Sequence, residues 1–213
     1  MTTVTHTIVP HTFPPSLISK TLADLVDLCT QASTDPFSEL MTHQFKNPKE
    51  QYKSIFKQMF QLCNDNGWGD PFSYARSREI LMAVELGHEM ATTYSGEDAH
   101  ELHPSLGLLS HEYKSTIGIH IQGAYTGISV QPTLQAQIDY ITNEKIGKYH
   151  THYYARFDGG SIAEIWAVSG QDVLAELLPK IVKKYNTTTK AKDPRIAVNM
   201  TKTAIHKYGT RIL

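Results

Sequence analysis

The first half of the chain spaces its apolar residues as amphipathic helices do. Around residues 22–29 and 52–63 the positions i, i+3, i+4 and i+7 are apolar, which predicts two helices that each bury one face. Asn47-Pro48 precedes the second helix and an Asn-Gly pair at 66–67 follows it, as is typical of a helix start and a helix end. A third helix is predicted over about residues 73–92, because a serine that can cap it comes first.

From about residue 105 the pattern changes. Residues 105–112 form an apolar turn that carries a glycine and ends in a lone acid, which predicts a short helix. The residues that follow alternate between apolar and polar side chains, as half-buried strands do. The predicted strands are 116–122, 128–135, 149–157 and 161–168, with connections at 123–127 and at Asp158-Gly159-Gly160.

Two more helices are predicted near the C-terminus. The first opens at residues 169–170, buries its leucines and is bent or ended by Pro179. The second opens at Asp193-Pro194, a cap followed by a first-turn proline, and closes at Gly209. The order of elements predicts the α+β class, with an N-terminal helical segment followed by an antiparallel sheet and its helices.

Residues 94–98 break the helical pattern, and we predict a domain boundary there. Residues 1–95 form a helical region of unknown role, and residues 96–213 form the sheet-containing domain with a basic C-terminal helix.

One face of the predicted sheet is apolar and the other is polar. Glutamine, serine, threonine, histidine and arginine side chains can bond to base edges, and a two-stranded ribbon fits the major groove. Solvent alone also explains a polar outer face on an antiparallel sheet, and the alternation does not decide between the two. The candidates for nucleic-acid contact on this face are His120, Gln122, Ser129, Gln131, Thr133, His150, His152 and Arg156.

Charge is distributed unevenly along the chain. The formal net charge is −1, yet residues 180–213 carry nine basic side chains and one acidic side chain. A basic tail is an electrostatic footprint for a phosphate backbone, although lysines on a solvated terminal helix give the same count. Lys183, Lys184, Lys190 and Lys192 are the candidate contacts in this tail.

The eleven histidines raise the question of a zinc site. His88-Glu89-Met90-Ala91-Thr92 lacks the second histidine of the zinc protease signature. The pairs His100/His103 and His150/His152 have spacings that can chelate a metal, but no cysteine cluster accompanies them, which favours surface or groove histidines. A histidine-dependent metalloenzyme stays a third hypothesis, and it predicts stoichiometric zinc.

Cysteine content and hydropathy bear on the compartment. Cys29 and Cys63 both fall in apolar helical patterns, which favours buried free thiols and an intracellular, reducing compartment, either the cytoplasm or an organelle matrix. No run of apolar residues reaches the length of a membrane span.

The order of elements from residue 103 and several short segments resemble one repeat of the LAGLIDADG homing endonucleases. The resemblance covers about residues 103–185. The segments that carry it are Gly107-Leu108-Leu109 with Glu112, Ser115-Thr116-Ile117, Lys145-Ile146-Gly147-Lys148, Trp166-Ala167-Val168-Ser169-Gly170, Asp172-Val173-Leu174 and Leu177 to Lys184.

The resemblance implies an αββαββα domain with an antiparallel sheet. A single repeat per chain implies a homodimer, with Gly107 at the contact between two motif helices. Each chain would then supply Glu112 as catalytic residue and ligand to a shared Mg²⁺ ion, and Lys183 or Lys184 would help to neutralise charge. Ser110 and His111 stand where the family has its first acid and a small interface residue.

The expected function is therefore nucleic-acid binding, with DNA favoured over RNA, together with metal-dependent cleavage of DNA phosphodiester bonds. Because His111 lies beside Glu112 and can block close helix packing, binding without cleavage stays open. The alternative is a catalytically inactive structural or assembly subunit that binds RNA, or a protein partner through residues 1–95.

Overall fold

The computed structural model describes residues 47–92, 96–188 and 194–213. The chain divides into two compact units, Met1–Lys57 and Gln58–Leu213. The predicted helix at 22–29, with Cys29, lies outside the described residues, as do Lys190 and Lys192.

The described elements alternate between helices and strands. The helices are α1 (Pro48–Asp65), α2 (Arg76–Leu86), α3 (Leu134–Tyr140), α4 (Gly170–Thr188) and α5 (Lys202–Tyr208), and a π-helical turn, Ile141–Lys145, continues α3. The strands are β1 (Glu89–Met90), β2 (Ala99–His103), β3 (Gly107–Thr116), β4 (Gly123–Ser129), β5 (Thr151–Asp158), β6 (Ser161–Ser169), β7 (Arg195–Met200) and β8 (Thr210–Arg211).

The strands form a six-stranded sheet in the order β1-β2-β3-β5-β6-β8 and a two-stranded ribbon of β4 and β7. Only the β3–β5 pair is parallel among the described strands, and every other pair is antiparallel. The predicted α+β class and the dominance of antiparallel pairing are therefore confirmed. Among the described residues, no helix combines the length and the apolarity needed to cross a bilayer.

The predicted helix over residues 105–112 is wrong, because most of this segment belongs to β3. His103 Nδ1 accepts hydrogen bonds from the N–H groups of Ser105 and Leu106 at 3.3 Å each, which closes a tight turn. Gly107 follows this turn with φ +80°, a conformation that a residue with a Cβ adopts only at a cost. The glycine interpreted as a helix-contact residue is thus a turn glycine, and no motif helix forms around it.

Two further predictions are corrected by the observed register. The predicted strand at 116–122 does not form, because β3 ends at Thr116 and the chain then leaves the sheet. Ile117 and Ile119 are 75% and 86% exposed while Ile121 is buried, so these three residues share no face. The next strand is β4 itself, in the segment that the alternation assigned to a connection.

The basic C-terminal segment also differs from its prediction. Residues 195–200 form β7 rather than the start of a helix, since Ile196, Val198 and Met200 alternate into the core and β4 supplies a partner strand. The last helix starts later, where Thr201 Oγ1 accepts from the Ala204 N–H at 3.3 Å.

Other predictions are confirmed. The helix over residues 52–63 is α1, the β5–β6 hairpin turns at the predicted glycines, and α4 opens at Gly170. Pro179 does not end α4, which continues to Thr188. Helix α2 is shorter than predicted, because Gly87 at φ 70° ends it in the left-handed conformation. Cys63 is buried and free, as expected.

Both faces of the main sheet are covered, which explains why the polar face predicted from alternation is not open. Side chains of α4, β4 and β7 pack on one face, around Tyr154 and Val168. Residues of α2 pack on the other face, around Tyr113, Ala155 and Ile165. A sheet buried on both faces no longer shows a solvent side.

Gly170 is a point of close backbone approach at the junction of β6 and α4. A Cβ added there would lie 1.9 Å from the carbonyl oxygen of Tyr149. We expect Gly170→Ala to lower the free energy of unfolding by about 3 kcal/mol, as overpacking of a close contact does. The matched control is Gly118→Ala, whose added Cβ would lie 3.5 Å from Thr116 Oγ1, an ordinary contact. Urea unfolding should leave this control within about 0.5 kcal/mol of the wild type, and equal stability of both variants would contradict the account.

Candidate active site

The β2–β3 hairpin brings two acidic side chains to the same place. Ala99 pairs with His111 in the antiparallel register, and the Asp98 N–H donates to the His111 carbonyl oxygen at 3.0 Å. This register places Asp98 opposite Glu112. Since side chains two residues apart share a face of a strand, Lys114 lies on the same face as Glu112.

Both carboxylates have protein neighbours, and the Tyr149 hydroxyl also interacts with Glu112. The Tyr113 N–H donates to Asp98 Oδ2 at 2.7 Å, and the Lys114 ammonium donates to Glu112 Oε1 in an ion pair. Both side chains of that pair are largely buried, with 22% exposure for Lys114 and 14% for Glu112. Both residues line the cavity described below.

The pKa of the Asp98 carboxyl reflects its burial and the acidic side chains near it. Burial raises the pKa of Asp98 well above its ordinary value, and the nearby Glu112 and Glu79 raise it further. Lys114 and the Tyr113 N–H act in the opposite direction without reversing the shift. The folded chain therefore disfavours the ionised form of Asp98 unless a cation lies beside it.

Lys114 stays charged in this environment. Burial alone lowers the pKa of its ammonium group, but the carboxylates of Glu112 and Asp98 outweigh burial, and the resulting pKa lies above the ordinary value. The cluster thus contains one firmly protonated cation and two carboxylates. Glu79 of α2 adds negative potential, although it is already paired with Arg76 at 3.5 Å.

These groups open into a cavity of about 370 Å³. Its wall includes Asp98, Glu112, Lys114, Lys145 and Tyr149. The Tyr149 hydroxyl donates to the Gly96 carbonyl oxygen at 2.5 Å, and burial together with the Glu112 carboxylate raises its pKa. The tyrosine is therefore a neutral hydrogen-bonding wall beside the acids.

A chain of neutral polar groups lies below the cluster. His152 Nε2 lies 3.0 Å from the Ile146 carbonyl oxygen and must donate to it, so Nδ1 accepts from the Tyr125 hydroxyl at 2.7 Å. Tyr154 then donates to the Tyr125 oxygen at 2.8 Å. Burial lowers the pKa of His152 to about 4. Hydrogen bonds hold these three side chains in place at the base of the site, and none of them carries a charge.

The donor set suits a hard divalent cation. Magnesium prefers oxygen ligands and is commonly held by one or two carboxylates together with water and substrate phosphate. Asp98 and Glu112 offer two such carboxylates across one strand pair, at the wall of the cavity.

Of the predicted site residues, Glu112 lies in the candidate site. His120 and Gln122 are exposed in the segment between β3 and β4. Ser129 and Gln131 are half-buried at the end of β4, and Thr133 caps α3 by accepting from the Ala136 N–H at 3.1 Å. The structure does not bring these residues together with Glu112.

The remaining predicted contacts are dispersed as well. His150 is exposed before β5, whereas His152 has no exposed surface to offer a nucleic acid. Arg156 is half-buried and paired with Glu164 at 2.9 Å. Lys183 and Lys184 are exposed on α4. Gly107 lies in the hairpin, and its predicted helix interface is absent from the described residues.

Asp98 and Lys114 are the site residues that the sequence analysis missed. Their signal is an acid and a lysine separated by one residue, Glu112-Tyr113-Lys114, in a segment able to form a strand, with a further acid shortly before it. The predicted helix over residues 105–112 made this pattern unrecognisable, because residues i and i+2, such as Glu112 and Lys114, lie on different sides of a helix.

Comparisons with known proteins leave the site to be interpreted from its geometry. No protein-family model matches the chain, and no curated protein matches it significantly.

Proposed function

We propose that this protein is a divalent-metal-dependent nuclease that hydrolyses DNA phosphodiester bonds. The observation that carries the proposal is the placement of Asp98, Glu112 and Lys114 together on one face of the β2–β3 hairpin, at the wall of a cavity. This set comes from one chain, so the proposed activity needs neither a second copy nor the LAGLIDADG resemblance. Glu112 keeps the role of metal ligand expected from the sequence.

Charge balance favours an ion at this position. Asp98 and Glu112 together would carry two negative charges against the single positive charge of Lys114, which Glu112 already engages. Buried charges are stable only when they are paired or coordinate a metal. A Mg²⁺ ion between the two carboxylates would compensate Asp98 while leaving Lys114 in place.

The residues have distinct roles in hydrolysis. Asp98 and Glu112 would hold the ion, which supplies charge stabilisation at the phosphoryl oxygens when bound. The Lys114 ammonium donates to a non-bridging oxygen of the attacked phosphate, as a fixed point charge does. A bond forms between the oxygen of water and phosphorus, one phosphorus–oxygen ester bond breaks, and the departing alkoxide takes up the proton that the attacking water releases.

The surface beside the cavity supports a nucleic-acid substrate. Ala124 and Thr126 of β4 line the cavity, and β4 pairs with β7 in a two-stranded ribbon. Lys180 and Lys184 of α4 donate to the carbonyl oxygens of Asn199 and Ala197 on β7, at 3.3 and 2.6 Å.

Lys180 is also paired with Glu176 at 2.6 Å, so Lys184 supplies the positive charge beside the ribbon, and a β-ribbon is one of the elements that enter DNA grooves. This arrangement gives the basic C-terminal segment a place in substrate binding. The same ribbon would also bind single-stranded DNA or RNA, and cleavage assays with each substrate distinguish them.

Cleavage assays with a pool of DNA substrates test the proposal. In Mg²⁺ or Mn²⁺ we expect Asp98→Asn and Glu112→Gln to lower the cleavage rate on the order of 10²- to 10³-fold, because each removes a ligand whose charge acts in the transition state. Lys114→Met should cause a loss of similar size. Chelation with EDTA should abolish wild-type cleavage, and added Mg²⁺ should restore it.

Glu89→Gln is the matched control for these variants. Glu89 lies on β1 of the same sheet, its side chain is 84% exposed, and its loss should leave the rate unchanged. Cleavage by Glu112→Gln at the wild-type rate would contradict the proposal. If the wild type cleaves RNA but not DNA, the substrate is RNA and the proposed DNA substrate is wrong. If it cleaves neither, the nuclease proposal is wrong and a binding protein without cleavage activity is the better interpretation.

Thermal stability gives an independent test of the ion site. Without metal, Asp98→Asn should be as stable as the wild type or more stable, because it removes a disfavoured ionised group while the Tyr113 N–H can still donate to the amide oxygen. Wild-type protein should gain about 2.7 kcal/mol at an ion concentration of 100 times Kd, and Asp98→Asn should gain little. Equal stabilisation of both proteins by Mg²⁺ or Ca²⁺ would contradict the assignment.

A further inference from the structure

A second cluster lies on the opposite face of the β2–β3 hairpin. Because Ala99 pairs with His111, the side chain of Glu101 lies on the same face as His111. His88, in the connection after α2, approaches this face, and its ring stacks on that of His111 with centroids 4.6 Å apart. One ligand atom from each of the three residues lies within 4.8 Å of the others.

His111 has an unmet chemical requirement. The residue is only 1% exposed, and within the described part of the chain neither of its ring nitrogens has a hydrogen-bond partner. The carboxylate oxygen Glu101 Oε2 lies 3.7 Å from His111 Nε2, which is too far for a hydrogen bond. A buried polar group without a partner costs about 1–3 kcal/mol, so this imidazole calls for an explanation.

His88 is oriented as metal-binding histidines are. Its Nδ1 lies 2.8 Å from the Tyr113 hydroxyl, and its Nε2 faces Glu101 Oε2 at 3.9 Å. Histidines that bind metals usually direct the other ring nitrogen to a hydrogen-bond partner, which fixes the tautomer and the ring. Here Nδ1–H can donate to Tyr113 and leave the Nε2 lone pair for an ion.

We propose that His88, Glu101 and His111 form a zinc site, distinct from the carboxylate site around Asp98 and Glu112. Zinc takes imidazole nitrogen at about 2.0–2.1 Å and carboxylate oxygen at about 2.0–2.2 Å. Tetrahedral ligands at those lengths are roughly 3.4 Å apart, so the separations of 3.7 and 3.9 Å between Glu101 Oε2 and the two histidine nitrogens need small side-chain shifts. The two histidine ligand nitrogens, which lie within 4.8 Å of each other, must approach as well. Water completes the fourth position.

The ligand chemistry separates the two sites. Two imidazoles and one carboxylate select a borderline-soft transition ion, whereas Asp98 and Glu112 offer only oxygen and suit Mg²⁺. The zinc would clamp the connection after α2 to the hairpin that carries both acids. This inference does not depend on nuclease activity.

Metal binding by the full chain tests the inference. After removal of metal with EDTA, calorimetric titration with Zn²⁺ should show one tight site per chain, and Co²⁺ in its place should give the intense visible absorption of tetrahedral cobalt with imidazole ligands. Glu101→Gln and His88→Asn should each weaken Zn²⁺ binding at least tenfold. Glu101 is half exposed, with 42% of its side-chain surface accessible, so its isosteric replacement should fold normally, as circular dichroism can check.

Two controls locate the ion. Glu89→Gln removes a carboxylate that lies 3.0 Å from His100 on the same sheet, and Asp98→Asn changes the opposite face; both should retain the zinc and the cobalt spectrum. The inference is overturned if the wild type binds no stoichiometric zinc, or if Glu101→Gln binds it as tightly as the wild type. Loss of zinc in Asp98→Asn with retention in Glu101→Gln would overturn it as well, by placing the ion among the other carboxylates.

Discussion

The ion pair between Lys114 and Glu112, with Asp98 beside it, is the interaction on which the polar interior of this protein depends. One ammonium group cannot balance two carboxylates, and the groups packed below them add no charge. Burial raises the pKa of Tyr125 and Tyr149 and holds His152 neutral, with a pKa of about 4. Ionisation of Asp98, which burial and the neighbouring acids disfavour, would therefore add an uncompensated negative charge at the wall of the cavity, where a divalent cation can approach.

The β2–β3 hairpin organises both proposed metal sites through the two faces of one strand. His111 and Glu112 are neighbours in sequence, yet they serve opposite faces because successive side chains of a strand alternate. The parallel partner β5 then places His152 and Tyr154 beneath the carboxylates. A one-residue slip of β3 would exchange the two faces, so the tight turn at Gly107 that sets its register is a functional feature.

The sequence predicts the class of this fold better than its central strand. The β5–β6 hairpin and helices α1 and α4 follow from local signals, because glycine turns and long amphipathic periods are specified within a few residues. The helix predicted around Leu106 and Leu108 is wrong because leucines favour helices intrinsically, and only pairing with β2 makes this segment a strand. Both leucines are exposed, so burial provided no signal.

The candidate site was predictable only in part for the same reason. Glu112 follows from its position beside an apolar segment, but its partnership with Asp98 depends on hairpin register, and neither His88 nor Glu101 shows any sequence relation to His111. Polar alternation in residues 149–157 predicted an accessible face, whereas α4 and the β4–β7 ribbon bury it. Such contacts between distant segments are set by tertiary packing and not by local pattern.

Crystals of the protein soaked in Mn²⁺ provide the most direct test of the central claim. Data collected near the manganese absorption edge should show an anomalous peak bound by one oxygen of Asp98 and one of Glu112, at about 2.0–2.3 Å from each. Lys114 should remain paired with Glu112. A map with no peak between these carboxylates at saturating Mn²⁺ would contradict the account and reduce the cluster to a structural ion pair.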